Sequence, residues 1–209
     1  MFRFVSLSVL LASMLASGCA APRGATIAEK QAFIRDIRDQ TLNQLYASRP
    51  DLQRVVERAA GYAVVSNTNV HVLLLGGGQG YGIAVDNRTG QETFMRMATA
   101  GAGPGLGVRD MRQVLVFADA YAFKEFVSEG WEVSGDVEAA ATSDEKGGAV
   151  SAQALAGPGG RGAAYSQKAD TVDYATSSDG VTAYRITKAG VALQVTIAGA
   201  KYWPYYALN

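Results

Sequence analysis

The stretch Gly76-Gly77-Gly78-Gln79-Gly80-Tyr81-Gly82 decides how this chain is read. Glycine at this density invites a phosphate-binding loop, and the surrounding residues refuse it. Gly-Lys-Ser/Thr occurs nowhere in the chain, so there is no Walker loop. Neither Gly78-Gln79-Gly80 nor Gly103-Pro104-Gly105 has a further glycine three places on, and no helix start follows, so the dinucleotide fingerprint is missing too. Strand packing and turn geometry remain. On either side, His71-Val72-Leu73-Leu74-Leu75 and Tyr81-Gly82-Ile83-Ala84-Val85 read as apolar strands. Gly101, Gly103, Gly105 and Gly107 then alternate strictly. Glycine at every second strand position leaves one face bare, which suits close backbone approach inside a barrel or a tightly coiled sheet.

Working outward, Tyr62 to Val65, Glu92 to Ala98, Val114 to Phe117, Trp131 to Ala141 and Ala149 to Ala156 read as further strands. Asp86 to Gly90 and Thr142 to Gly148 read as turns, and Gly157 to Gly162 as a loop. Asp170 to Ala175 and Val181 to Ile186 flank the hairpin signal Thr176 to Gly180, and Val191 to Ile197 is the last long strand. Helices precede the strands. Thr26-Ile27-Ala28-Glu29 has the form of a capping box. Ile34, Ile37, Thr41 and Leu45 then recur at helical spacing, widened by Phe33, Leu42 and Tyr46. A second helix runs from Pro50 to Ala60, with Gly61 suited to a left-handed position after its end. Asp119 caps a third, bearing Tyr121, Phe123, Phe126 and Val127 and ended by Gly130. Helices first and strands afterwards predict α+β: N-terminal helices packed on an antiparallel, glycine-rich β-sheet or partial barrel.

Composition narrows the function classes. The 209 residues carry 19 Lys+Arg against 19 Asp+Glu, a balance that argues against a nucleic-acid binder. One cysteine and one histidine exclude an internal disulfide framework and any metal site built on several thiolates or imidazoles. The expectation is no cofactor and no metal. His71 stands before an apolar strand, no Gly-x-Ser-x-Gly elbow occurs, and Asp136 with Glu138 form an ordinary same-face carboxylate pair. The chain is therefore expected not to be an enzyme.

Residues 1–18 read as an address. Arg3 makes a short positive region, and Phe4 to Leu15 an apolar run of about a dozen residues, too short for a permanent span. Leu15-Ala16-Ser17-Gly18-Cys19 resembles a bacterial lipobox, in which the cysteine receives a diacylglyceryl group and becomes the new amino terminus. Two or more acyl chains anchor stably where one does not. Ordinary cleavage after Ala21 is the alternative. With Ala20 after the cysteine and no aspartate, the expected address is the outer membrane, facing the periplasm. This divides the chain into a signal at 1–18, a lipidated tether at 19–25 and one domain at 26–209.

The basic residues of the first two helices, Lys30, Arg35, Arg38, Arg54 and Arg58, suit contact with anionic headgroups, though spacing alone favours a solvated face of interleaved ion pairs. Tyr202-Trp203-Pro204-Tyr205-Tyr206 suits a membrane interface or a core-closing cluster.

The order of the pieces has a wider likeness. Ala59-Ala60-Gly61-Tyr62-Ala63-Val64 leads to Gly80-Tyr81-Gly82. Gly101 to Gly107 follows, then Asp110-Met111-Arg112-Gln113-Val114-Leu115-Val116-Phe117, Gly157-Pro158, and Tyr174 with Ser177-Ser178-Asp179-Gly180. Over residues 45–208 this resembles the SYLF family of lipid-binding domains, related to the yeast actin-regulator domain and widespread in bacterial lipoproteins. The resemblance implies a non-enzymatic domain that binds membrane lipid. In eukaryotic members basic residues of an amino-terminal amphipathic helix are implicated; only the helix at 26–47 matches that place, and it carries Asp36 and Asp39. The expected partner is membrane phospholipid, anionic in headgroup chemistry, with no nucleic acid and no nucleotide. An envelope module that binds a protein or peptidoglycan is the alternative expectation.

Overall fold

The computed structural model describes residues 21–141, 149–153, 166–167, 174–178 and 180–209. The leader and Cys19, the turn at 142–148 and the loop at 157–162 lie outside them. Among the described residues, three helices and seven strands follow in the order α1 (Ile27–Ser48), α2 (Asp51–Arg58), β1 (Gly61–Asp86), β2 (Glu92–Phe117), α3 (Ala120–Ser128), β3 (Trp131–Ala141), β4 (Ala149–Gln153), β5 (Ser166–Gln167), β6 (Tyr174–Ser178) and β7 (Val181–Pro204). The class is α+β, as expected. All pairings are antiparallel, in the order β1-β2-β7-β3-β4, with β6 beside the start of β7 and β5 beside β6.

The helices form where the sequence places them. In α1 the Thr26 hydroxyl accepts from Glu29 N at 3.2 Å, and the Glu29 carboxylate accepts from Thr26 N at 3.0 Å. Together with a bond from Ala25 N, these backbone donors hold the Glu29 carboxyl below its ordinary pKa. Ile34, Ile37, Thr41 and Leu45 are buried, the predicted stripe. Burying each large aliphatic side chain contributes about 1.5–3 kcal/mol. In α3, Asp119 accepts from Ala122 N at 2.9 Å, and Phe123 and Phe126 are buried while Tyr121 is exposed.

The strands depart from the expectation. What reads as three strands between Tyr62 and Val85 is one strand of 26 residues, and β2 likewise absorbs the two stretches read separately and the alternating glycines between them. The pair runs in register from Gly61↔Phe117 to Val85↔Glu92, with one irregularity at Leu73/Leu75. There the ribbon folds back. Leu73 adopts φ 58, and a methyl group on Gly78, Gly80 or Gly82 would overlap the carbonyl oxygens of Thr68, Ser66 and Val64 respectively. The two halves of β1 thus meet face to face at backbone distance, which glycine alone permits. The glycine stretch is the packing surface of a strand, not a break between strands.

The inner layer between the two legs holds Ala63, Val65, Leu115, Phe117, Val181 and Ala183 from one leg and Ala84, Met95, Met97, Ala200 and Tyr202 from the other, closed by Phe123 and Phe126 of α3. Outside, Leu45, Leu52 and Val56 of α1 and α2 pack on Val64, Val114, Val116, Tyr184 and Ile186. Farther along α1, Ile34 packs with Ile83, Phe94 and Leu208. Gly61 is not the left-handed residue expected after α2. It opens β1, and a Cβ there would meet the Phe123 ring at 2.5 Å and Val85 O at 2.8 Å. Asn87 ties both ends of β1 to α2, its Nδ2 donating to Val56 O at 2.6 Å and Ala59 O at 3.0 Å.

Candidate membrane-facing surfaces

The five expected headgroup ligands do not form one face. Arg35 Nε donates to Glu92 at 2.7 Å and its guanidinium lies 5.3 Å from the centre of the Phe94 ring. Arg38 donates to Glu92 at 2.7 Å and to Asp39 at 2.8 Å. Burial opposes the Arg38 charge, but the Asp39 and Glu92 bonds outweigh it and raise its pKa above the ordinary value. These two arginines fasten α1 to the start of β2. Lys30, Arg54 and Arg58 make no ion pair among the described residues. Lys30 stands near the opposite end of α1 from α2, roughly 27 Å away at the helical rise. Arg54 and Arg58 flank Val55, which is 44% exposed, on the outer side of α2.

Acids interrupt the rest of that surface. Arg49 donates to Asp51 at 2.8 and 3.0 Å, which lowers the Asp51 pKa, and Gln53 Nε2 donates to Glu57 at 2.9 Å. Cations and acids alternate from α1 into α2, and only the Arg54–Val55–Arg58 patch is left open.

Two open grooves flank the β1–β2 turn. One, of about 610 Å³, is lined by Ala60, Arg88, Tyr121, Phe123, Lys124 and Val127 among others. The second, of about 540 Å³, lies among Gln31, Arg35, Glu92, Phe94, Leu208 and Asn209. Asp86, at the first groove, is committed to the turn. It accepts from Arg88 N and Thr89 N at 2.9 Å each, and these backbone donors lower its pKa. No group of three or more His, Cys, Asp or Glu is arranged for a metal among the described residues. The His71, Asp136 and Glu138 side chains fall outside the described set.

The sequence reading missed a buried cation. Arg112, 5% exposed on β2, lies beneath α1 and donates to Thr41 Oγ1 at 3.2 Å and Gln40 Oε1 at 3.4 Å, while its Nε has no partner. Burial lowers its pKa, against the pull of nearby Asp110 and Tyr81. Its only signal in the sequence is parity: Arg112 shares a strand face with Val114 and Val116. Also unforeseen is the buried bond from Tyr202 Oη to Gln113 Oε1 at 2.8 Å.

The C-terminal aromatics divide. Tyr202 is core, 5.7 Å from Phe126 between ring centres. Trp203 and Tyr205 are half-buried, Tyr205 against the cluster of Ile34, Ile83, Phe94 and Leu208, with Arg96 over both at 5.9 and 5.1 Å from the ring centres. Tyr206 is exposed. At the bend of β1, Val70, Leu73 and Leu75 stand 48%, 73% and 72% exposed. No helix among the described residues is long and apolar enough to cross a membrane, which says nothing of strands.

No family model matches the chain. It is similar to beta cell expansion factor A of Aeromonas veronii, with 31% identity over 178 residues, a match that takes in 85% of this chain and 58% of that protein. The chain thus spans less than two thirds of the relative's length.

Proposed function

We propose that the chain is an exported bacterial lipoprotein, anchored through Cys19 in the outer membrane, whose SYLF-like domain engages a phospholipid surface without catalysis. In this reading the folded sheet is a partial barrel and the helices are its outer layer. The observation that carries it is the open face of α2, where two arginines without ion-pair partners flank an exposed valine. Cations beside an apolar side chain are what an anionic interface selects. Lys30 supplements this face from a distance; Arg35 and Arg38 meet lipid only in competition with Glu92. The groove beside exposed Tyr121 favours a second reading, an envelope protein or peptidoglycan partner.

The test is co-sedimentation of residues 20–209 with neutral and anionic vesicles at low and high salt, against the double variant Arg54→Glu/Arg58→Glu. At about 1 kcal/mol per cation near an anionic surface, loss of the two positive charges alone weakens binding roughly 30-fold, and their reversal to glutamate weakens it further. Binding that salt reduces and the variant weakens supports the reading. Absence of binding to either vesicle overturns it in favour of the partner-binding module.

A further inference from the structure

β1 carries no Asp, Glu, Lys or Arg from Gly61 to Val85, and at the bend its two neighbours lose theirs as well. β2 has none from Met97 to Val108 and β7 none from Ala189 to Ala200, while β3, on the far side of β7, brings Asp136 opposite Ala198 and Glu138 opposite Thr196. Pairing stacks these stretches on one another. Val70 is opposite Val108 and Val108 opposite Val191 on one leg; Gly78 is opposite Thr99 and Thr99 opposite Ala200 on the other. The residues that end the band on β2 and β7 are all cations: Arg96, Arg109, Lys188 and Lys201, the last ion-paired with Glu132 of β3 at 3.3 Å. At the Arg96 boundary the register sets Trp203 opposite the arginine, and the Trp203 and Tyr205 rings lie beneath its guanidinium. At the apex Leu73 and Leu75 are the two most exposed aliphatic side chains described, and Leu73 is held at φ 58, a conformation glycine takes freely and leucine does not.

We infer that this apex is a membrane-inserting tip, and that its occupant is the outer acyl region of an anionic phospholipid leaflet. The inference rests on the membrane reading above and moves its main contact from the helices to the sheet. From apex to cation each leg runs about six residues, roughly 20 Å along the strand and about 15 Å in height at a barrel-like tilt. A leaflet's hydrocarbon is about 15 Å deep. The outer edge of β1 is not paired with another strand among the described residues, and unpaired backbone groups bar deep burial in hydrocarbon. Insertion is therefore shallow: Leu73 and Leu75 pass the headgroups by about 5–10 Å, as interfacial segments do. The band then fills the headgroup layer, and Arg96 meets phosphate at its outer surface. Arg96 stacked on Trp203 and Tyr205 supplies the aromatic-plus-cation layer that favours this depth.

The test places an environment-sensitive fluorophore on cysteine at the tip, as Leu73→Cys and separately Leu75→Cys. Val55→Cys reports the α2 face, and Thr89→Cys reports the opposite end of the ribbon. Full-length genes are expressed so that the cell processes the protein. Cys19 is then acylated or removed, and wild-type protein must take up no label. Circular dichroism confirms each fold, and two tip positions guard against one failing. With vesicles of phosphatidylethanolamine and phosphatidylglycerol, both tip labels should shift to the blue. A nitroxide on the lipid chains should quench them several-fold more than the label at residue 89. Tip labels that stay in water while the Val55 label shifts would overturn the insertion and leave the surface reading standing. Labels in water at both places overturn the two together. A blue shift at the tip without vesicles, growing with protein concentration, would replace the leaflet with a second copy of the chain.

Discussion

Where β1 begins and ends, the Phe117, Phe123, Phe126, Trp131 and Tyr202 rings meet with centres 5.0–6.5 Å apart, and α3 lies across them. About a dozen residues along the same strand, Val70, Leu73 and Leu75 face solvent. The strands are common to both ends, so hydrogen bonding does not separate them. Side-chain volume does. At the sealed end aromatic rings fill the space between the legs, although β1 meets itself there too, at Gly61 and Val85 O. Towards the bend, glycine brings the legs to backbone distance, and only a small polar cluster of Asn67, Asn69 and Thr99 is described between them. The sealed end stores the stability, and the bend is left free to do something else.

Several substitutions break or sharpen this contrast. Phe126→Ala removes the centre of the sealed end and should cost about 3–5 kcal/mol, read as a lower urea midpoint. Gly82→Ala forces a methyl against the Val64 carbonyl and should cost about 1–3 kcal/mol. Gly77→Ala, whose methyl would find only Thr99 O at 3.2 Å, should cost clearly less; equal losses would mean that backbone contact is not what closes the legs. Glu92→Gln strips both α1 arginines of their carboxylate and should cost about 1–3 kcal/mol, with proteolysis of the early part of α1 as a second readout. The Asp86 pKa is lowered in the fold, so its contribution is complete above the ordinary carboxylate range and lost as pH falls through the lowered value. Wild type should therefore be more stable than Asp86→Asn above about pH 5, with the difference closing below about pH 4. Smallest, Leu75→Ser should change stability by less than about 0.5 kcal/mol; a large loss would show the bend to be packed after all.

How much of this was legible follows the same division. The helices were read nearly to the residue, because a capping box and a 3.6-residue stripe are local signals, and Thr26, Glu29, Ile34 and Leu45 act as that reading requires. Trp131 to Ala141 also emerged with its observed limits. The long strands did not, since Ser66-Asn67-Thr68-Asn69 and Gly76 to Gly80 look like loops when apolar alternation is the guide. Their alternation is real but tertiary: Gly78, Gly80 and Gly82 face the Asn67 and Val65 backbone across the fold, so one strand's bareness is explained only by the other leg. The notion that alternating glycine serves backbone approach was sound. The described contacts place it at 78–82, whereas the side chains around 102–109 lie outside the described set. Among the candidate ligands, Arg35 and Arg38 could not be told from Arg54 and Arg58 by spacing, because Glu92, which occupies the first two, lies more than fifty positions away.

The pairing of β2 also sets an order of events. Its β1 partner precedes it across a five-residue turn, so that hairpin can zip as soon as Phe117 has been made. Its other edge waits for β7, whose residues pair with positions 64 to 109 places earlier in the chain. During synthesis, an edge more than twenty residues long stays open until the final segment arrives, and such an edge is a template for any passing strand. Gly101, Gly103, Gly105 and Gly107 of β2 itself weaken the strand propensity of that waiting edge. A nascent chain thereby spends its most exposed interval in its least adhesive form.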